Sequence, residues 1–337
     1  MRAQPLDSLK GPPISLLGLG AYLPSRVMTN DEWSHYVDTT DEWITARTGI
    51  KRRRVASAEE STADMAVAAA RSALADGKFK AEEIDEIIVA TDTPEVFTPD
   101  TACFVQHRLG AREIPAYELG GSGCAGFLQA LDIARARVHF AAGRVLVIGV
   151  EMFTRVISWH ERDTCVLFGD AAAAAVVGHG SGGGEIISVM AGTDGSQADI
   201  LMLEVGGTRA PTSLASIQQG RHQYIEMNGR EVFKASVKRM SEASLQVLAQ
   251  ANLSKEDVTL VIPHQANLRI IQAISKNLDI PLDKFYINLQ EYGNTGSASV
   301  PLALWEARNT GRISPGDLIL LTAFGAGIHW AATLLQY

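Results

Sequence analysis

The sequence has few cysteines, no long apolar run and no excess of positive charge, and each absence excludes a class of protein. Three cysteines in 337 residues provide neither a disulfide framework nor the ligand spacing of a metal site. No apolar run approaches the ~18 residues that a membrane-spanning helix needs. The first residues also lack the apolar core of a secretory signal. We therefore expect a cytoplasmic protein with no metal and no membrane segment.

The charge balance argues against nucleic-acid binding. The chain has 30 Lys and Arg residues against 38 Asp and Glu, a formal net charge of −8 at pH 7. Such a charge repels a polyanion unless basic residues are concentrated in a local patch. Hydrophobic residues make up 46% of the chain and charged residues 20%, which is typical of a globular protein with a sizeable core.

Helical patterns alternate with short apolar strands along the chain, which predicts an α/β protein. The pattern predicts helices at 61–77, 126–142, 231–253 and 299–309. It predicts strands at 84–91, 144–150, 258–262 and 316–322. The segments GRVLVIG and GDLILLT lie about half a chain length apart, which favours an internal duplication, although helix–strand units also recur in α/β proteins without one.

Glycine-rich residues at 178–184 mark a boundary in the middle of the chain. We expect two halves, residues 1–182 and residues 183–337. Residues 192–221 are polar and show no lasting periodicity, so we interpret them as a long excursion over the surface.

Cys124 is the first candidate for a catalytic residue. It lies in the glycine-rich segment Gly120–Phe127, directly before a predicted helix. The partial positive charge at a helix N-terminus favours a thiolate and lowers the thiol pKa, and the Cys124 N–H is placed to face a developing oxyanion. Taken alone, a cysteine in such a turn is more often a small buried residue. Cys103 and Cys165 lack the flanking glycines and are interpreted as structural.

Three other segments bring polar groups to the ends of strands. His264 follows a short apolar strand, where crevices form in α/β proteins, although a lone histidine there is as often a turn residue. Asn294 lies between glycines in Tyr292–Ser299, a pattern that turns and helix caps share. The last segment, Ala323–Trp330, could bring backbone N–H groups beside the cysteine, or form a plain turn.

The order of these segments resembles the β-ketoacyl-acyl-carrier-protein synthase III family of the thiolase superfamily, from about Gly18 to Tyr337. The motifs that carry the resemblance are TDEWITARTGI at 40–50, CAGF at 124–127, FGD at 168–170, MNG at 227–229, PHQANLR at 263–269 and GNT at 293–295. The resemblance implies a thiolase-like duplicated α-β-α-β-α five-layer sandwich. It also implies a homodimer, with Cys124 in the first half and His264 and Asn294 in the second.

The resemblance implies a decarboxylative condensation that needs no metal and no redox cofactor. Cys124 would take the acyl group of an acyl-CoA primer, and the N–H groups of Cys124 and Ala326 would stabilise the oxyanion. His264 and Asn294 would hold the thioester carbonyl of malonyl-acyl-carrier protein while CO2 leaves. The enolate would then attack the acyl-cysteine and release a 3-ketoacyl-carrier protein. A neutral or a protonated His264 imidazole would serve equally, and the sequence does not decide between them.

The same resemblance assigns binding roles. Trp43 would stack on the CoA adenine, and Asn267 would contact the pantetheine arm. The residues near the nucleotide and its phosphates would be Arg47, Thr48 and Arg162. The basic residues that meet the acidic carrier protein would be Lys234, Arg269 and Lys276. The run of basic residues at 51–54 fits phosphate attraction or a solvated surface equally well.

Four positions depart from the family pattern. Gly-Ser-Gly precedes Cys124 where many members carry alanines, and we expect added room or flexibility there. Ala326 replaces a glycine, and its N–H donor survives provided that φ is negative. The effect of His329 is open. Thr98 stands at the acyl-pocket gate where some members carry phenylalanine, which predicts primers longer than acetyl.

Other functions are disfavoured to different degrees. A condensing enzyme or acyltransferase of a secondary-metabolite pathway is the main alternative, because it could keep all three polar residues. A non-catalytic partner subunit is disfavoured because the cysteine is present. No Gly-x-Gly-x-x-Gly follows an early strand, which argues against a dinucleotide-binding dehydrogenase. The duplicated frame and the segment around Trp43 disfavour a Cys-His-Asn hydrolase.

Overall fold

The computed structural model describes residues 11–181 and 183–337. The strands in these residues are β1 Ile14–Tyr22, β2 Arg26–Thr29, β3 Arg52–Val55, β4 Glu86–Thr91, β5 Ala116–Gly120, β6 Arg144–Met152, β7 Asp170–His179, β8 Glu185–Thr193, β9 Leu201–Leu203, β10 Ile225–Met227, β11 Leu260–Pro263, β12 Leu318–Gly325 and β13 His329–Gln336. The α-helices are α1 Asn30–Trp33, α2 Asp41–Thr48, α3 Thr62–Gly77, α4 Thr101–Leu109, α5 Gly126–Phe140, α6 Arg162–Cys165, α7 Leu214–Gln218, α8 Gly229–Gln250, α9 Leu268–Leu278, α10 Leu289–Tyr292 and α11 Ser299–Asn309.

Nine of these strands form one sheet whose two parts repeat the same pairing pattern. The strand order is β11-β12-β13-β8-β1-β7-β6-β4-β5. In the first part β4 pairs parallel with β6, β6 antiparallel with β7, and β7 antiparallel with β1. In the second part β11, β12, β13 and β8 pair in the same directions. The two parts join where Ser15 on β1 pairs with Glu185 on β8.

The helices stack in layers on both faces of this sheet. Helices α3 and α4 pack with β4, β6 and β7 in one apolar cluster. Helices α5 and α11 share a central cluster with strands of both parts of the sheet, and α8 and α9 pack on the outer face of β11, β12 and β13. Because side chains alternate across a strand, Leu320 joins the outer cluster while Ile319 and Leu321 join the central one. The predicted α-β-α-β-α sandwich is confirmed.

Local sequence signals set the ends of the predicted elements to within a few residues. Helix α3 begins at Thr62 because the Ser61 side chain accepts the backbone N–H of Asp64. It ends at Gly77, followed by Lys78 in the left-handed conformation at φ +58°. Helix α11 spans the predicted residues, whereas α5 ends two residues early and β6 runs two residues further, to Met152. The predicted boundary between the halves includes Gly182, which lies outside the described residues, so that boundary stays a prediction.

Candidate active site

A cavity of about 980 Å³ opens where the two parts of the sheet bring their strand ends together. Most of the residues predicted for the site line it. They are Trp43, Arg47, Thr48, Cys124, His264, Asn267, Arg269, Asn294 and Ala326. The apolar wall comes largely from residues 198–240, including β9 and β10. The interpretation of 192–221 as a surface excursion is therefore incomplete, because part of this segment forms the cavity.

Cys124 lies in a short turn, Gly123–Ala125, directly ahead of the fifteen-residue helix α5. Gly123 is in the left-handed conformation at φ +58°, and a Cβ built there would lie 2.3 Å from the Ala326 nitrogen. A Cβ built at Gly325 would lie 2.4 Å from the Cys124 nitrogen. The two backbone segments thus pack directly on each other. The expectation that glycine adds room beside the nucleophile is wrong at Gly123, where glycine permits close approach instead.

This contact brings the backbone nitrogens of Cys124 and Ala326 into the same close junction between the two turns. Ala326 itself keeps helical dihedral angles, and the positive φ falls on the next residue, Gly327, at +73°. The substitution of alanine for glycine at 326 therefore leaves its N–H donor in place. An oxyanion hole is built from backbone N–H donors placed beside a nucleophile.

The electrostatic surroundings of Cys124 oppose its ionisation. Burial raises the pKa of the Cys124 thiol well above its usual range, and the negative charges of Asp92 and Glu151 raise it further. Hydrogen bonds with the Asn294 side chain and the Cys124 backbone N–H lower the thiol pKa by a smaller amount. A helix N-terminus contributes at most ~2 kcal/mol, whereas burial shifts a pKa by up to ~3–5 units. The predicted lowering of the thiol pKa is therefore wrong, because burial outweighs the helix N-terminus.

Asn294 presents its side-chain amide to the nucleophile. The Cys124 Sγ lies 3.9 Å from Asn294 Oδ1, which accepts the Gly296 N–H at 2.9 Å. The Asn294 backbone donates to Leu167 O at 2.8 Å and accepts from Gly169 N at 3.0 Å. In the described part of the chain Nδ2 makes no hydrogen bond, so this donor is available to a ligand in the cavity.

His264 is a neutral donor in this site. It follows β11, and its backbone N–H donates to Thr322 O at 2.8 Å. Burial lowers the pKa of the imidazole to about 3 and so favours its neutral form. Nδ1 lies 2.6 Å from Ser299 Oγ at the start of α11. When the Ser299 hydroxyl donates to Nδ1, the ring proton resides on Nε2.

Two guanidinium groups lie close to the ring of Trp43, which lines the cavity. The Cζ atoms of Arg47 and Arg162 are each 4.7 Å from the centroid of the Trp43 ring. The Thr40 side chain caps α2 by accepting the Trp43 N–H, which fixes the indole on the first turn of that helix. Arg162 contacts Trp43 although it is not a cavity-lining residue. The three side chains form a cationic aromatic platform.

Three predicted residues lie away from the cavity of their own chain. Thr98 is exposed, in the segment before Pro99. Lys234 donates to Glu231 at 2.9 Å on the surface of α8, and Lys276 is exposed in the last turn of α9. Arg269 does line the cavity, and it donates to Ala46 O at 3.1 Å. The structure thus brings together the acyl and CoA residues but leaves the gate and two of the three docking residues at the surface.

Two acidic residues of the site were missed by the sequence reasoning. Asp92 lines the cavity directly after β4, and Glu151 is buried near the end of β6. Glu151 accepts hydrogen bonds from Thr93 Oγ1 and Ser297 Oγ, both at 2.9 Å, and from Asp92 N at 3.1 Å. Each acid lies at the end of an apolar strand, where the sequence changes from apolar to polar residues. That signal was present in the sequence.

In residues 11–181 and 183–337, no group of three or more His, Cys, Asp or Glu side chains is arranged to hold a metal ion. No helix in that same part of the chain is both long enough and apolar enough to cross a membrane.

Comparison with known proteins identifies close relatives over nearly the whole chain. Residues 121–195 match the family model described as 3-oxoacyl-[acyl-carrier-protein (ACP)] synthase III, and residues 248–337 match its C-terminal counterpart. A beta-ketoacyl-[acyl-carrier-protein] synthase III of Caldanaerobacter subterraneus subsp. tengcongensis is 47% identical, covering 96% of this chain and 97% of the relative.

Solved structures agree with the sequence comparison. The 3-oxoacyl-[acyl-carrier-protein] synthase III of Aquifex aeolicus superposes with a TM-score of 0.88 at 44% identity, covering 96% of this chain and all of that one. The priming β-ketosynthase of the R1128 polyketide pathway superposes with a TM-score of 0.87 at 35% identity, covering 97% and 98% of the two chains.

Proposed function

The chain belongs to the β-ketoacyl-[acyl-carrier-protein] synthase III family, and from this premise we propose how its residues carry out the reaction. The function is the decarboxylative Claisen condensation of an acyl-CoA primer with malonyl-acyl-carrier protein, which starts fatty-acid synthesis. The products are a 3-ketoacyl-carrier protein, CoA and CO2. The observation that supports our assignment of roles is the cavity that Cys124, His264 and Asn294 share.

In the first half-reaction Cys124 accepts the acyl group. Its sulfur attacks the thioester carbonyl. The oxyanion that develops accepts hydrogen bonds from the backbone N–H groups of Cys124 and Ala326. One such donor typically stabilises the transition state by about 3 kcal/mol. CoA leaves as the thiol, and the acyl group stays on the enzyme as a thioester.

In the second half-reaction His264 and Asn294 stabilise an enolate. The Nε2–H of a neutral imidazole and the Nδ2 amide of Asn294 donate to the thioester carbonyl oxygen of malonyl-carrier protein. As CO2 leaves, negative charge develops on that oxygen, where both donors become stronger. The enolate carbon then attacks the acyl-cysteine, and Cys124 leaves as a thiolate.

The outer end of the cavity suits the nucleotide of CoA. Trp43 offers an aromatic face to the adenine, and Arg47 and Arg162 supply positive charge for the phosphates. Asn267 contacts the pantetheine arm. Thr48 forms part of the cavity wall but offers no free hydroxyl to the ligand. Its Oγ1 donates to Ile44 O at 2.7 Å and accepts from Ile50 N at 3.0 Å.

The carrier protein docks at the mouth of the cavity, and the exposed lysines of two neighbouring helices extend the basic surface beyond Arg269. Arg269 lines the mouth, and Lys234 and Lys276 lie on the two helices α8 and α9, which pack against each other. A positive surface on a chain of net charge −8 attracts an acidic partner locally. Reversal of the charge at Arg269 in an Arg269→Glu variant should therefore slow turnover with carrier-protein substrates.

We also propose a cytoplasmic homodimer that requires no cofactor beyond its substrates. Phe97 is 87% exposed and Val96 and Thr98 beside it are also exposed, which is unusual for apolar side chains on an isolated subunit. Because Thr98 lies outside the cavity of its own chain, it gates an acyl pocket only if this segment packs against a second copy. The small side chain at 98 then favours primers longer than acetyl.

The secondary-metabolite alternative has no better support. The chain resembles one priming ketosynthase of a polyketide pathway at 35% identity, but its more similar relatives are named beta-ketoacyl-[acyl-carrier-protein] synthase III. The distinction depends on the partner carrier protein and the primer rather than on the catalytic residues.

A condensation assay tests the proposed function. Purified protein is incubated with acyl-CoA primers of increasing length and malonyl-carrier protein labelled in the free carboxyl carbon. We expect labelled CO2 and a 3-ketoacyl-carrier protein in equal amounts, and no 3-ketoacyl-carrier protein with the Cys124→Ala variant. Cys103→Ala is the matched control, because Cys103 is exposed on α4 outside the cavity, and it should keep full activity. Acyl transfer without CO2 release would instead identify a non-condensing acyltransferase.

A further inference from the structure

The turn that carries the Ala326 donor is strained. Gly327 has φ +73°, and Ile328, a buried β-branched residue, has φ +54°. β-Branched residues rarely adopt the left-handed conformation, and such a conformation persists only where neighbouring contacts hold it. One such contact is the hydrogen bond from the Asp194 N–H to Ile328 O at 3.1 Å. The first residue after the turn supplies the others.

His329 begins β13 directly after this turn. Its Nδ1 lies 2.7 Å from Oγ1 of Thr193, its neighbour on β8 in the strand register, and 3.1 Å from Nε2 of Gln129 on α5. The ring also covers the turn, because a Cβ built at Gly327 would lie 2.9 Å from Cδ2 and 3.0 Å from Nε2 of the imidazole. One side chain thus contacts the strained turn, strand β8 and the helix that follows Cys124.

The two polar neighbours of His329 require an acceptor at Nδ1. The Nε2 of Gln129 is an amide nitrogen, which only donates, and the Thr193 hydroxyl can donate to the same ring nitrogen. The ring proton of His329 then resides on Nε2. Burial lowers the pKa of the His329 imidazole, so the neutral form that these bonds need predominates at pH 7.

These contacts hold both sides of the junction between the two turns. Gly325, which packs on the Cys124 nitrogen, pairs with His329 across strands β12 and β13. Gln129 lies in the first turn of α5, the helix that starts beside Cys124. His329, Gln129 and Thr193 are not among the residues that line the cavity. Their effect on the reaction therefore has to pass through the backbone of the two turns.

We propose that His329 is a positioning residue, which holds the Ala326 turn against the helix of the nucleophile and so keeps the two oxyanion donors together. This inference rests on the proposed function. The oxyanion hole serves the acylation of Cys124, whereas His264 and Asn294 serve the decarboxylation. Loss of the His329 hydrogen bonds should therefore slow the first half-reaction and spare the second. A general loss of folded structure would slow both.

A series of substitutions at position 329 tests the hydrogen bonds themselves. In His329→Asn the amide oxygen is bonded to Cγ, as Nδ1 is, so it can accept from Gln129 and Thr193. In His329→Gln the side chain is one carbon longer and places no acceptor at that point. We expect His329→Ala and His329→Gln to acylate about tenfold more slowly than the wild type, and His329→Asn to acylate at close to the wild-type rate.

A substitution at Gln129 tests whether the bond to the nucleophile helix carries the effect. Gln129→Leu removes the donor but keeps a side chain of similar size, and it should slow acylation by no more than His329→Ala does. The double variant should be no slower than His329→Ala alone, because the bond between the two residues is already lost. Losses that multiply in the double variant would overturn the link between His329 and α5.

The experiment measures single-turnover acylation of Cys124 at neutral pH by rapid quench and mass spectrometry. The acyl donor is the member of a panel from acetyl-CoA to octanoyl-CoA that acylates the wild-type chain fastest. Release of labelled CO2 from malonyl-carrier protein without a primer reports decarboxylation, and it should stay close to the wild-type rate in every variant. His107→Ala is the matched control, because His107 is exposed on α4 and is not a cavity-lining residue, and it should keep both rates.

Two results would overturn the role of His329. One is a His329→Ala variant that acylates at the wild-type rate or loses both half-reactions equally. The other is a His329→Asn variant that acylates as slowly as His329→Gln. Either result, obtained beside an active wild-type chain, leaves the proposed function standing. A wild-type chain that takes no acyl group from the panel contradicts the proposed function and this inference with it.

Discussion

Substitution of Gly325 by alanine should damage the oxyanion hole with little change elsewhere. Gly325 ends β12 with φ −148° and ψ 179°, an extended conformation that alanine adopts without strain. The only consequence of the substitution is the added Cβ. That atom would lie 2.4 Å from the Cys124 nitrogen and 2.8 Å from the carbonyl carbon of Gly123. Both neighbours are backbone atoms, so neither can rotate away and one segment has to move.

The size of the effect follows from these contacts. Overpacking of a tight contact typically costs about 1–3 kcal/mol of stability. Movement of the two turns apart removes at least one N–H donor from the developing oxyanion, and loss of one donor typically reduces the rate by about 10²–10³-fold. We therefore expect Gly325→Ala to lower the rate of Cys124 acylation at least 10²-fold, with a folded chain and a reduced melting temperature.

Acylation kinetics and thermal melting together test this prediction. Gly207→Ala is the matched control, because Gly207 has no positive φ and a Cβ built there meets nothing within 4 Å. It should leave both the acylation rate and the melting temperature unchanged. If Gly325→Ala acylates as fast as Gly207→Ala, the close contact between the two turns does not form the oxyanion hole.

Three further predictions follow from the geometry of the cavity. His264→Ala and Asn294→Ala should each lower the rate of malonyl-carrier-protein decarboxylation at least 10²-fold. The rate of single-turnover Cys124 acylation should stay within a few-fold of the wild type. Equal losses in both half-reactions would refute the assignment of these residues to decarboxylation. Trp43→Ala should raise KM for acyl-CoA about tenfold, since loss of the surface on which the adenine stacks costs about 1.4 kcal/mol. With an N-acetylcysteamine thioester, which has no nucleotide, the same variant should keep the wild-type KM. The rate of decarboxylation on pre-acylated enzyme should show no histidine titration between pH 5 and pH 8. Burial lowers the pKa of His264 to about 3, so the imidazole stays neutral throughout this range. A loss of rate near pH 6.5 that the His264→Gln variant abolishes would contradict a neutral donor.

The α/β class could be predicted because its signals are local, whereas the five-layer sandwich was expected only from the family resemblance. Ser61 caps α3 and Thr40 caps α2 through side-chain oxygens that lie next to the helices in sequence. The alternation of apolar strands with these helices was enough to predict the α/β class. The predicted ends of β6 and α5 were each wrong by two residues. These ends depend on the neighbouring strands and loops rather than on a nearby capping residue.

The site was predicted in its residue types but not in its electrostatics. Cys124 was interpreted as an ionised thiol because it precedes a helix, yet depth of burial, which local sequence does not show, raises the pKa of the thiol. The contact between Gly123 and Gly325 joins opposite halves of the chain, so neither segment predicts it alone. Asp92 had a readable signal in its position directly after an apolar strand, and the reasoning passed over it because carboxylates are common there.

Transfer of an acyl group through Cys124 is the central claim, and peptide mass spectrometry during a chase experiment tests it most directly. The chain is first incubated with an acyl-CoA, freed of excess donor, and then mixed with malonyl-carrier protein. The account predicts one acyl adduct, on the peptide that contains Cys124, which disappears as an equal amount of 3-ketoacyl-carrier protein forms. An adduct on any other residue, or a Cys124 adduct that persists while product accumulates, would contradict it.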